Sequence, residues 1–215
     1  MMIPNDTRQQ KQHSSGRYHS SASARSWSQI NLDEENNVRT EIQNLIRDVP
    51  SPWKYMELIS PSVEIMVMDV LQQELDDASC LNQYRANCLK CLRVLSKIRN
   101  IVPSSFLFSS NLTKEGTNFI TGGGFADIWK GRLHSTQVFL KVLRIFPPKI
   151  VRENILRQFC REALVWRQLH HPNILPFLGV NGDLFDPSFC LISPWMKNGN
   201  LMSYLEEHPD HDRLI

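Results

Sequence analysis

The sequence predicts an α+β fold: a five-stranded antiparallel sheet with one helix against it, preceded by a small helical module and a disordered N-terminal tail. Two observations carry this. From about residue 106, short apolar runs punctuated by Gly, Asn and Asp recur near 117–121, 125–132, 137–143, 174–180 and 188–193, with one helical stretch near 152–169 between the third and fourth. Ahead of them, three stretches carry apolar residues at helical spacing with no strand pattern between. An antiparallel sheet carrying a helix is the α+β arrangement. The expected divisions are a tail over 1–30, a helical module over 31–104 and a sheet-based lobe over 105–215.

Residues 1–30 are rich in Ser, Gln, Arg and His and poor in large apolar groups. Such a segment buries too little surface to offset its ordering entropy, so disorder is expected. Its basic, Ser-rich composition resembles a transit peptide, but it has no amphipathic period; a solvated tail is the preferred reading. In the first helical stretch Val38, Ile42, Leu45, Ile46 and Val49 form a stripe, with Asn31 or Asp33 as N-cap and Pro50 as stop. Val63, Met66, Val67, Val70, Leu71 and Leu75 form the second, after a first-turn Pro61. Leu81, Tyr84, Cys88, Leu92, Leu95 and Ile98 form the third, ended by Pro103. The short break at 76–79 predicts that the last two pair as an antiparallel hairpin.

The chain has 215 residues, room for one or two modest domains. A net charge of +2 gives no basic field for nucleic acid. No apolar run is long enough to span a bilayer, and the start lacks a secretory apolar stretch. Five cysteines without framework spacing suit a reduced, intracellular and cytoplasmic setting.

Two charges stand on apolar faces. Lys141 shares a strand face with Phe139 and Leu143. Glu162 occupies an apolar slot in the stripe Ile155, Phe159, Trp166, Leu169. A charge on an apolar face calls for a partner, and opposite charges in neighbouring elements suggest each other. Just upstream lies Gly122-Gly123-Gly124, a turn whose bare backbone suits close approach to phosphate oxygens.

The segment 120–131, Ile-Thr-Gly-Gly-Gly-Phe-Ala-Asp-Ile-Trp-Lys-Gly, resembles the glycine-rich loop of protein kinases. Lys141 in the next strand and Glu162 in the next helix complete the ordered set that family uses. His171-Pro172-Asn173-Ile174 resembles the approach to the fourth kinase strand. Leu191-Ile192-Ser193-Pro194-Trp195-Met196 resembles the fifth strand and hinge, and Asn198-Gly199-Asn200-Leu201 the start of the following helix. The style is that of the tyrosine-kinase-like group, in its fungal version, and the resemblance covers about 118–215.

It implies a kinase small lobe with an αC-type helix. It also implies an ATP site of Ile120, Gly122, Gly123, Gly124, Phe125, Ile128, Lys141 and Glu162, with Pro194 and Met196 facing adenine and Ser193 as gatekeeper. The implied function is phosphoryl transfer from ATP to protein Ser/Thr or Tyr, with a protein substrate and ATP as cofactor. A protein partner for the helical module is expected; nucleic acid and membrane are not.

The sequence departs from that pattern. Thr121 and Ala126 stand at the first and third glycine positions, and only Gly123 matches. Phe139 replaces the alanine that lies over adenine, and its ring would crowd that space, so weak or moderate ATP binding is expected. The catalytic His-Arg-Asp and the magnesium-binding Asp-Phe-Gly do not occur, and His211-Asp212-Arg213 reads as a polar helix end or loop. The chain therefore reads as a truncated kinase domain, inactive alone, with Mg²⁺ bound only if the missing lobe is supplied. The alternative is a non-catalytic kinase-like interaction protein, a pseudokinase. Cys88-Leu89-Lys90-Cys91 falls on a helix with no second pair, so core or surface thiols are expected. His170 and His171 suit a helix end, and Trp195 suits hinge packing.

Overall fold

The computed structural model describes residues 32–79, 81–144 and 149–210, with side chains from 35 onward in the first helix and from 152 onward in the fourth. The tail over 1–30, the N-cap Asn31 and the His211-Asp212-Arg213 segment lie outside the described residues.

Helix α1 spans Leu32–Asp48, α2 Glu64–Asp76 and α3 Asn82–Arg99. Asp33, expected as a possible cap, lies inside the first turn of α1. Pro61 sits in the turn that leads into α2, where Val63 accepts the first helical bond from Val67 at 2.9 Å. α3 stops at Asn100, which adopts a left-handed conformation at φ 56° and donates its N–H to Ser96. Asn tolerates that geometry, and Lys97 and Arg99 in the last turn suit the helix dipole.

The α2–α3 hairpin forms as expected. Tyr84 Oη donates to Glu74 at one end, and Arg99 pairs with Glu64 at 3.1 Å at the other, so the helices run antiparallel. A 3-10 segment, Pro52–Leu58, lies along α3 and was not legible in the sequence; Lys90 Nζ sits 3.3 Å from the centre of the Trp53 ring. Leu71, Leu75, Cys88, Leu92 and Leu95 are fully or almost fully buried between these elements.

The sheet contains β1 (Leu112–Lys114), β2 (Thr121–Gly122), β3 (Ala126–Leu133), β4 (Thr136–Leu143), β5 (Gly179–Asn181) and β6 (Cys190–Pro194). Its order is β1-β3-β4-β6-β5, all antiparallel, with β2 on the same side of β3 as β1. β1 and β2 are one edge strand in two pieces, so the five-strand reading holds. Lys114 faces Gly131 and Thr121 faces Ile128. Seven steps on the edge therefore match three on β3, and the excess loops out with Gly116 at φ +78°.

Two predicted strands shift. The stretch 117–121 lies largely in that bulge, because the edge pairs on either side of it. The run 174–180 pairs only from Gly179; Pro172 and Pro176 ahead of it lack the N–H a ladder needs. The β5–β6 loop forms where expected, and Asn181 Oδ1 accepts from the N–H groups of Asp183 and Leu184.

Helix α4, Lys149–Arg167, lies on one face of the sheet. Val138, Leu140, Val142, Cys190 and Ile192 fill the other face under Trp129, Leu184 and Phe185. On the α4 side the core runs without a break from Phe159, Cys160, Ala163 and Leu164 into Leu71, Leu92 and Leu95 of the hairpin. The hairpin thus packs on the back of α4. Residues 104–108 close the joint. Asp69 accepts from the Ser104 backbone and hydroxyl at 2.6 Å each, and Phe106 meets Phe177 edge-on at 5.5 Å.

Candidate functional site

β3 and β4 pair so that Ile128 lies opposite Lys141 and Lys130 opposite Phe139, while β6 places Ser193 opposite Phe139 and Leu191 opposite Lys141. Side chains alternate along strands, so Ile128, Phe139, Lys141 and Ser193 share one face. Phe139 and Ile128 are half-buried and belong to neither apolar cluster. They line the open part of that face, beyond the part that α4 covers.

Lys141 Nζ donates to Glu162 Oε1 at 2.6 Å. The two charges on apolar faces are therefore partners, as the sequence indicated. They are not buried: their side chains retain 31% and 40% of their exposure. At such exposure an ion pair contributes about 0.2–1 kcal/mol to stability. Its consequence is geometric, because it joins β4 to α4 on the open face of the sheet.

That turn is pinned from below. Gly123 N–H donates to Ala126 at 2.9 Å and Arg144 N–H to Phe125 at 3.0 Å. Arg144 Nε donates to both carboxylate oxygens of Asp127 at 3.0 Å. A Cβ on Gly122 would meet Asp127 Oδ1 at 2.8 Å and Arg144 Nη2 at 2.9 Å, so a side chain there would displace this pair. A Cβ on Gly123 or Gly124 would meet nothing within 4 Å. Phe125 is 85% exposed and Ile120 55% exposed. The turn thus has a clamped base and an open tip. Residue by residue the sequence missed this clamp; its signal was an acid on β3 and a base just past β4.

At the other end lie Ser193, Pro194 and Met196. Leu143 N–H donates to Phe189, and Trp195 N–H to Gln137, so odd-numbered β4 residues form the hydrogen-bonded pairs with β6. Val138 and Pro194 form a non-hydrogen-bonded pair, which turns the Pro194 carbonyl away from β4. β5 pairs only as far as Ile192, so that carbonyl has no strand partner on the far side. A proline fits here because the ladder asks nothing of its N–H. Met196 is 49% exposed, and Trp195 lies under Lys130 Nζ at 5.3 Å, in a packing role. Ser193 is fully buried, and its hydroxyl has no hydrogen-bond partner.

Other expected features resolve simply. Cys88 and Cys91 are buried in the hairpin core, and no cluster among the described residues has the makings of a metal site. Burial pushes the Cys91, Cys160 and Cys190 thiols up to about 12. His170 and His171 follow the end of α4, with His171 Nδ1 accepting from Asn173 N–H.

A five-stranded antiparallel sheet with one helix on it and a Lys–Glu contact between them is the arrangement of a kinase small lobe. Residues 115–214 match the family model for protein tyrosine and serine/threonine kinases. Among curated proteins, the probable serine/threonine-protein kinase drkB of Dictyostelium discoideum is 36% identical over 83 residues, 39% of this chain and 11% of its own length. Serine/threonine-protein kinase STY17 of Arabidopsis thaliana is 27% identical over 86 residues, covering 40% and 14%. The tyrosine-protein kinase transforming protein Abl of Abelson murine leukemia virus is 31% identical over 88 residues, covering 40% and 11%. The chain thus spans only a small fraction of the relatives it matches.

Proposed function

We propose that residues 105–215 form the ATP-binding portion of a protein kinase domain that transfers phosphoryl groups to Ser/Thr or Tyr of a protein substrate. The observation that carries this is the Lys141–Glu162 contact at 2.6 Å between β4 and α4. In this reading Lys141 holds phosphate oxygens and Glu162 orients Lys141. Ile120, Gly122, Gly123, Gly124, Phe125 and Ile128 cover the nucleotide. The Pro194 carbonyl and Met196 N–H meet adenine, with Ser193 behind them. The open loop tip and the unpaired carbonyl direction of Pro194 suit that ligand. ATP supplies the phosphoryl group; this chain's residues bind and orient it. The sequence has neither His-Arg-Asp nor Asp-Phe-Gly, so the base and the Mg²⁺ ligands must come from outside it.

Support for the domain division is the change of architecture near 105, with a helical layer before it and a sheet after it. No helix among the described residues is long and apolar enough to cross a membrane. The four described cysteines are free, which suits a reducing, cytoplasmic setting.

Calorimetric titration of ATP into the chain tests the site. Lys141→Met should weaken binding by about 1–3 kcal/mol, the range for charge-assisted hydrogen bonds. Unchanged affinity would remove Lys141 from the site.

Phe139 favours a second reading, a kinase-like protein that binds partners without catalysis. Its ring shares the cleft face with Lys141 and lies where the family places a small residue, directly opposite Ser193.

A further inference from the structure

Four side chains form one hydrogen-bonded chain between α2 and the last turn of α4. Arg167 Nη2 donates to Asp76 Oδ2 at 2.9 Å. Gln72 Nε2 donates to Asp76 Oδ1 at 2.9 Å. Gln168 Nε2 donates to Gln72 Oε1 at 3.1 Å. Both Asp76 oxygens and both ends of the Gln72 amide are used, and Gln72 is 1% exposed. A buried amide satisfied at both ends tolerates little displacement, because sliding α4 would leave it unpaired.

The direction of this network matters. At about 100° per residue, Arg167 lies about 140° round the helix from Glu162, and Gln168 follows in the turn that ends the helix. Arg167 thus points away from the side that presents Glu162 to Lys141. The helix is therefore held at front and back by polar contacts, with Cys160, Ala163 and Leu164 buried between.

We propose that Gln72, Asp76, Arg167 and Gln168 are positioning residues: the α2–α3 hairpin sets the height and rotation of α4, and hence the contact of Glu162 with Lys141. None of the four belongs to the nucleotide site proposed above. Their effect on the cleft passes through Glu162 alone. Only the affinity arm of the test rests on the nucleotide reading above.

The test uses the full chain without nucleotide first. Competitive acylation of lysines, read by mass spectrometry, reports whether the Lys141 amine is held by Glu162. Asp76→Ala should raise Lys141 labelling by about threefold or more, a coupling typical of residues in one network. The paired exchange Asp76→Arg with Arg167→Asp should bring it back. In a Glu162→Gln background, Asp76→Ala should add nothing, which a general loosening of the fold would not reproduce. Arg167→Ala, at the exposed end, gives the same comparison if Asp76→Ala unfolds the chain. Unchanged labelling in these variants, or an equal rise with and without Glu162, overturns the proposal. ATP titration of the same variants separates the two ideas. Labelling that responds while no variant binds ATP sinks the nucleotide site and leaves the positioning role. ATP binding with unresponsive labelling does the reverse.

Discussion

Asp127 and Arg144 grip each other in a two-pronged contact directly beside Gly122, at the base of the glycine turn. The Arg144 side chain holds the Asp127 carboxyl below its ordinary 3.8. Asp69 behaves in the opposite way. Burial pushes its carboxyl above 3.8, against the lowering effect of the Ser104 hydrogen bonds.

These shifts predict opposite pH dependences. A depressed carboxyl stabilises the fold above about pH 4, and that contribution is lost as pH falls through the folded value. A raised carboxyl makes the fold lose stability as pH rises from about 4 through its folded value. Melting temperature measured against pH should show both. Asp127→Asn should lose most relative to the parent near neutrality and nothing at strongly acid pH. Asp69→Asn should flatten the decline just above pH 4. A Tm difference for Asp127→Asn that persists at the acid end would disprove the pairing.

Phe139→Ala should tighten ATP binding, because it clears the cleft face opposite Ser193 without touching Lys141. The gain should be about 1 kcal/mol, the low end of the cost of overpacking. Equal affinity in parent and variant, by calorimetry, would show that the ring swings clear of the ligand.

A polypeptide of residues 1–215 alone should transfer no phosphoryl group. Lys141 and Glu162 can hold phosphates, but positioning also requires a base and metal ligands that this sequence does not contain. The assay is labelled ATP with Mg²⁺ and a generic protein substrate. Transfer above background that disappears in Lys141→Met would contradict the expectation.

Cys91, Cys160 and Cys190 should resist alkylation at pH 8 until the protein unfolds. With the thiols pushed up to about 12, only about one molecule in ten thousand presents a thiolate. Mass-resolved iodoacetamide labelling across a denaturant series should show the three becoming reactive together. Early labelling of Cys160 alone would mean that α4 opens before the hairpin.

Much of this was legible because it depends on periodicity and on misplaced charge. The stripes of α2 and α3 and the two lone charges each have a local pattern, and each appears where the pattern put it, except that Leu81, just before α3, and Ile98 are exposed. The edge bulge was not legible, since its partner is fixed by pairing on β3 rather than by its own residues. The Pro52–Leu58 segment has no helical period to read. Gln72 and Gln168 were invisible for another reason: an amide on a helix reads as surface until a second helix buries it. The expectation of buried charge was also too strong, because Lys141 and Glu162 meet at an open edge of the core.

The family likeness begins at residue 115, yet the apolar core ignores that position. Leu71, Leu92 and Leu95 sit in the same cluster as Phe159, Cys160, Ala163 and Leu164. What inheritance marks off and what packs around one core are therefore different units. A chain cut where the resemblance starts would keep every signature residue and lose the wall behind its own helix, so sequence similarity alone draws the wrong line for anyone trimming this protein.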